Sequence, residues 1–166
     1  MDVNIRAAIV EDAKALTELY CETKVQRETL HLPNMQPSIW LDRLSNVSAG
    51  TYHFVAEVES HVAGHLFFHH NQRPRVSHTA TFGIGVSERF HGLGIGSQLL
   101  ANAIDLSDNW LNVHRIYMGV HVDNQPAIGL YKKFGFHVEG ESIDGSFRDG
   151  QYVNIYNMAR IRQLET

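Results

Sequence analysis

Near the middle of the chain, Arg89-Phe90-His91-Gly92-Leu93-Gly94-Ile95-Gly96-Ser97 sets three alternating glycines between a strand-like run and a helix-like run. Glycine lets the backbone turn sharply, and it removes the Cβ atoms that would hold an anion away from successive N–H groups at a helix N-terminus. The segment therefore reads either as a phosphate cradle or as a plain strand-to-helix turn. Two familiar phosphate loops fail against it. A Walker loop needs Gly-Lys-Ser/Thr, and no lysine follows these glycines. A dinucleotide fingerprint needs Gly-x-Gly-x-x-Gly near the start of its domain, whereas Gly-x-Gly-x-Gly stands here about halfway along the chain.

Strand and helix periods alternate on both sides of this turn. Val3 to Ile9 predicts a strand, and Ala13, Leu16, Leu19 and Tyr20 predict a helix behind the acids Glu11 and Asp12. Trp40, Leu44 and Val47 give a second helical spacing after Pro33 and Pro37. Tyr52 to Val58 and Val62 to Phe68 form a hairpin, and Thr79 to Val86 a further strand in which Gly83 and Gly85 imply a bulge or a close backbone approach. Ile95, Leu99, Ala103, Leu106 and Trp110 share one helix face. After a strand from Ile116 to Val122, Asp123-Asn124 and Pro126 start a helix carrying Ala127, Leu130, Tyr131 and Phe134, which stops at Gly135. Phe136 to Ile143 and Tyr152 to Ala159 are closing strands, with turns at Asp144-Gly145 and Asp149-Gly150. The order β-α-α-β-β-β-α-β-α-β-β is mixed α/β with a largely antiparallel first half.

With 166 residues and no low-complexity linker, one domain spanning 1–166 is expected. A net charge of −4 disfavours a nucleic-acid grip built on a basic surface. Cys21 stands alone, so no intrachain disulfide or four-cysteine zinc site is expected, which fits a reducing compartment. The N-terminal residues lack a basic flank and apolar run, and no long apolar stretch follows, so the expectation is a cytoplasmic protein without a membrane partner. The 11 histidines raise metal binding or acid–base chemistry. His69 and His70 are adjacent and would point to opposite strand faces, and the four-residue spacing of His65 and His69 suits a helix instead, so no metal is expected.

His91-Gly92-Leu93-Gly94-Ile95-Gly96 resembles the Gln/Arg-x-x-Gly-x-Gly/Ala pyrophosphate loop of the GNAT superfamily of N-acetyltransferases, with His in the first position. Arg89-x-x-Gly92-x-Gly94 is an alternative register. Some thirty residues on, Asn124-Gln125-Pro126-Ala127 through Leu130-Tyr131 to Gly135-Phe136 resembles the superfamily's Asn-x-x-Ala-x-x-Leu-Tyr-x-x-x-Gly-Phe element, and the two matches come in the family's order. Over nearly the whole chain the likeness extends to bacterial L-amino-acid N-acetyltransferases, in segments such as Val62-Ala63-Gly64-His65-Leu66 and Asp108-Asn109-Trp110-Leu111. The resemblance implies a splayed, mostly antiparallel sheet of about seven strands flanked by about four helices. It also implies acetyl-CoA as acyl donor, a small-molecule amine as acceptor and a homodimer.

Transfer from a thioester to an amine needs a seat for the donor, a polarised carbonyl, a base for the amine and an acid for the thiolate. The resemblance places the donor against His91, Gly92, Leu93, Gly94, Ile95, Gly96, Ser97 and Asn124, and the thioester carbonyl on a backbone N–H in Gly85-Val86-Ser87, with Val86 as the site residue. It makes Tyr131 the general acid, although a tyrosine on this apolar helix face is by itself an ordinary core residue. Many members carry the base as a glutamate on the fourth strand, where this chain has Thr81. His78 is the first substitute, with His65 and His121 as alternatives. Arg73 or Arg75 would pair with a substrate carboxylate, if they are more than solvated loop cations. Polyamine or protein N-terminal acetylation, and a catalytically silent acyl-CoA-binding module, stand as the competing functions.

Overall fold

Strands β1 (Val3–Ala7), β2 (Thr51–Val58), β3 (His61–His70), β4 (Thr79–Val86), β5 (Arg115–His121), β6 (His137–Arg148) and β7 (Gln151–Ile161) form one sheet in the order β1-β2-β3-β4-β5-β7-β6. Helices α1 (Ala13–Cys21), α2 (Thr23–Glu28), α3 (Pro37–Ser45), α4 (Ile95–Asn109) and α5 (Gln125–Lys133) cover it in this computed structural model, which describes residues 1–164. The mixed α/β architecture is the expected one. The added helix is α2, whose six residues bury only Val25 and are too short to show a period.

All neighbouring strands run antiparallel except β4 and β5. That parallel pair holds only at Thr79↔Arg115, Ala80↔Ile116 and Thr81↔Tyr117. Beyond it β4 stays with β3 as far as Gly64↔Val86, while β5 stays with β7 as far as His121↔Ile155, so the sheet opens like a V. Helices α1 to α3 close one face over Leu16, Leu19, Trp40 and Val55. On the other face, residues of α4 and α5 pack with Phe68, Phe82 and Phe136. Period-two alternation decides what each residue of β4 meets. A Cβ at Gly85 would stand 3.0 Å from the Tyr20 ring and 3.1 Å from Val25, whereas Val86 looks the other way, toward Gly96.

Several local expectations are corrected. The β3–β4 ladder has no bulge at Gly83 or Gly85; the close approach is at Gly85, and the register shift lies between Ala56 and Glu57 of β2. Asp144-Gly145 is an irregularity within β6, where the Asp144 N–H donates to Asn154 Oδ1 at 2.9 Å. The reversal is at Asp149 and Gly150, both with positive φ, as a two-residue hairpin turn requires. Trp110 is not on the buried face of α4 but ends that helix, 77% exposed. Val47 likewise lies beyond the end of α3, and Ile9 beyond the end of β1.

Candidate active site

The backbone of β4 supplies the first element. Asn71 N–H donates to Thr79 O at 3.1 Å and Ser87 N–H to Ala63 O at 2.9 Å, so the odd-numbered residues of β4 bond β3. In an antiparallel ladder the residues between them turn their N–H and C=O outward. Ile84 and Val86 therefore aim backbone groups into the V, where β5 has already departed.

Beside this edge lies the glycine loop. Gly92 and Gly94 have φ of 80° and 73°, and an added Cβ at either would meet nothing within 4 Å. The left-handed backbone, rather than crowding, is what requires glycine there. The first backbone bond of α4 runs from Gln98 N–H to Gly94 O at 3.1 Å, so the N–H groups of Ile95, Gly96 and Ser97 precede it. No side chain caps this N-terminus. The His91 ring does not reach toward those groups: its Nε2 bonds Val86 O at 3.0 Å and ties the loop to the strand end. Leu93 is exposed and stands outside the cavity lining.

Helix α5 borders the same opening. Asn124 Oδ1 accepts from Ala127 N–H at 3.3 Å, the capping bond its position promised. Tyr131 packs edge-on to Phe82 at 5.6 Å between centroids, and burial pushes its phenol above the ordinary value of 10. The ring lines a cavity of about 1400 Å³ that runs from the glycine loop through the V to the α1–α3 face.

On that second face the lining is side chain. Tyr20 stacks on His31 at 4.2 Å and on Trp40 at 5.1 Å. Tyr20 Oη lies 2.6 Å from His65 Nδ1, and His65 Nε2 lies 3.0 Å from His53 Nδ1, which makes a three-membered chain running from buried Tyr20 and His65 to half-buried His53. Burial holds His65 well below its usual pKa and lowers His53, with nearby Arg43 adding to both. Burial first and Arg43 second push His31 down to about 4. The Arg43 guanidinium sits 4.9 Å above Trp40, with Nη1 3.3 Å from His31 Nε2. Farther round, Glu28 Oε2 and His121 Nδ1 face each other at 3.9 Å.

The histidine excess thus has a structural outlet: His31, His53, His65, His69, His91 and His121 all line this one cavity. His78 does not. It is exposed ahead of β4, its carbonyl accepts from His114 and Arg115, and an eight-residue strand at ~3.3 Å per residue puts it roughly 25 Å from Val86. The first-choice base is therefore at the wrong end of the strand. Arg73 and Arg75 share that remote end, near the short turn Pro74–Val76, and Arg43 occupies the cavity instead. Thr81 is also remote, in the closed part of the sheet opposite Tyr117. Sequence reasoning missed His31, His53, Arg43, Trp40 and Glu28 as site residues; only Trp40 and Arg43 share an element, α3, and the others come from α2, β2 and the stretch between α2 and α3 with no spacing to link them. Among the described residues no three His, Cys, Asp or Glu side chains gather as a metal site, and no helix is long and apolar enough to cross a membrane.

Comparison with known proteins fits this geometry. The L-amino acid N-acetyltransferase AaaT of Escherichia coli is 40% identical over 161 residues, 97% of this chain and 99% of that protein. The spermidine N(1)-acetyltransferase of the same species is 36% identical over 83 residues, 50% of this chain and 45% of that protein. The crystal structure of a GNAT-family acetyltransferase from Streptococcus pneumoniae superposes with a TM-score of 0.82 at 26% identity, covering 96% of this chain and 99% of that one. The family model described as the Acetyltransferase (GNAT) family matches residues 13–136. With a backbone-lined V, a glycine loop at an uncapped helix and a match across most of its length, this chain belongs to the GNAT family of acetyltransferases.

Proposed function

We propose that the chain transfers the acetyl group of acetyl-CoA to the amine of a free L-amino acid or a close analogue. The observation that carries this reading is the pairing of unlike walls in one cavity. Backbone donors line one side, and a cation, Arg43, and a carboxylate, Glu28, line the other. A zwitterion matches both charges, since a guanidinium takes a carboxylate in bidentate fashion and a carboxylate takes an ammonium. A polyamine has no carboxylate for Arg43. The full-length likeness to an L-amino acid N-acetyltransferase supports the same choice.

The donor wall fits acetyl-CoA: the N–H groups from Gly92 to Ser97 suit a pyrophosphate, and the outward backbone groups of Ile84 and Val86 suit an extended amide chain. When bound, acetyl-CoA supplies an activated acetyl thioester. The Val86 N–H then polarises the thioester carbonyl. Tyr131 donates its proton to the leaving thiolate, its buried phenol being held in the protonated form by a pKa raised above the ordinary 10. Asn124 holds the start of α5 and so fixes where Tyr131 stands. His91 orients Val86 through its carbonyl.

The test is thiol release with free L-amino acids, spermidine and short peptides, with mass detection of the product. The highest kcat/KM is expected for a free amino acid. Faster turnover of spermidine or a peptide would overturn the acceptor assignment, and donor binding without turnover for any amine would support the silent-module reading.

A further inference from the structure

We propose that Glu28 and His121 together seat the acceptor's ammonium group and take its proton, supplying the base that β4 lacks. This rests on the N-acetyltransferase reading above. Glu28 Oε2 and His121 Nδ1 are both sealed from solvent, and neither has a hydrogen-bond partner among the described residues. Buried polar atoms are rarely left so. Their separation of 3.9 Å is too long for a direct hydrogen bond and suits a third group that bonds both. Both residues line the cavity, and His121 is only 5% exposed.

The level along the sheet is also right. Carrying the β4–β5 register forward from Thr79↔Arg115 sets His121 abreast of Gly85, one residue from the Val86 N–H. Its side chain meets α2, on the face that carries Tyr20 and Arg43, so an amine held there approaches the V from the side opposite the glycine loop. The other edge of the imidazole is engaged, with Nε2 2.8 Å from Ser146 Oγ. With a proton on Nε2 given to Ser146, Nδ1 is left as an acceptor. The nearby charges have partners of their own: Arg148 pairs with Asp123 and Arg27 with Asp149, although Arg148 Nη1 also lies 3.9 Å from Glu28 Oε2.

An ammonium has three protons and finds two acceptors here. One proton passes to His121 Nδ1, with Glu28 balancing the charge, and frees the nitrogen lone pair. The amine nitrogen then bonds the acetyl carbon and the C–S bond breaks. Tyr131's proton goes to sulfur, and the nitrogen's second proton restores the phenol through solvent in the cavity. The net change is R–NH₃⁺ plus acetyl thioester to R–NH–acetyl plus thiol plus H⁺.

The experiment compares the full-length parent with Glu28→Gln and His121→Asn. Each substitution is expected to lower kcat/KM for the amino acid by about 100-fold while the acetyl-CoA Kd changes by no more than about twofold. In the protein without acetyl-CoA, the NMR titration midpoint of His121 should fall further in Glu28→Gln, because burial first and Arg148 second lower it, with a smaller contribution from Arg27, while Glu28 and Asp123 raise it. The acid limb of the parent's kcat/KM profile should vanish in His121→Asn. A Glu28→Gln enzyme within about threefold of the parent, or an unmoved His121 midpoint, overturns the proposal. If His121→Asn loses acetyl-CoA binding through misfolding, Glu28→Gln decides alone, being isosteric and partly exposed. A parent that turns over no amine overturns the N-acetyltransferase reading and this pair with it, whereas equal turnover by parent and variants overturns the pair alone.

Discussion

The two walls of the cleft are made of different material. The donor wall is mostly backbone: outward N–H groups on β4, a left-handed glycine loop and an uncapped helix end. The acceptor wall is mostly side chain, with Tyr20 from α1, Glu28 from α2, Trp40 and Arg43 from α3, and His53 and His65 from the central hairpin. On the proposed function, the backbone wall would recognise what every acyl-CoA shares, and the side-chain wall could be changed residue by residue to suit one acceptor.

That contrast can be broken at both walls. The largest effect is expected from Tyr131→Phe, which should lower kcat by roughly 100-fold or more and leave acetyl-CoA affinity in place; equal turnover would remove the acid role. Arg43→Gln should raise KM for a free amino acid about tenfold or more, since the ~1.5–3 kcal/mol of a charge-assisted bond corresponds to roughly 10- to 150-fold, while KM for spermidine does not rise. A parallel loss for both acceptors would mean that Arg43 only braces Trp40. Gly94→Val, forced to a φ of 73°, should cost about 1–2 kcal/mol in stability and weaken acetyl-CoA binding, with acceptor KM unchanged. Unaltered donor affinity would make the loop a structural turn only.

The acceptor wall also sets a pH dependence. His31, His53, His65 and His121 all have lowered pKa values, so between the ordinary 6.5 and lower pH the unfolded chain binds more protons than the folded one. Stability is complete above about pH 6.5 and falls as pH drops toward about 4, the value for His31. Melting curves near pH 7.5 and pH 5 should therefore differ by several degrees, and equal curves would mean these rings protonate freely in the fold. The smallest effect is that of Tyr20→Phe, which removes one bond to buried His65 and should cost about 1 kcal/mol.

The same difference explains what could be read from the residues alone. Few side chains tolerate the backbone of Gly92 and Gly94, and few residues cap a helix as Asn124 does, so the donor wall left a local signature. The acceptor wall left none, because its members meet only after β2, β3 and α1 to α3 have packed. His78 was attractive for its place beside a strand, but strand length carried it away from the chemistry. His65 and His121 did reach the cavity. Their partners Tyr20 and Glu28 lie more than forty residues away in sequence, beyond any spacing rule. Asp144-Gly145 misled in the opposite way: a good turn dipeptide was absorbed as an irregularity because β7 continues opposite it.

The three-residue contact between β4 and β5 has a consequence for the protein at rest. The N–H and C=O of Ile84 and the N–H of Val86 are hydrogen-bonding groups of a sheet interior with no strand to receive them, the Val86 carbonyl being taken by His91. A ligand that lies along that edge acts as the missing strand, so its binding and the chain's folding are linked equilibria. At a hundredfold excess over Kd, such a ligand adds about 2.7 kcal/mol to the free energy of unfolding. If the acyl donor is that ligand, as proposed, the protein would be sturdiest when the donor is plentiful and most open to unfolding and proteolysis when it runs short, which would couple its lifetime to the supply of its own substrate.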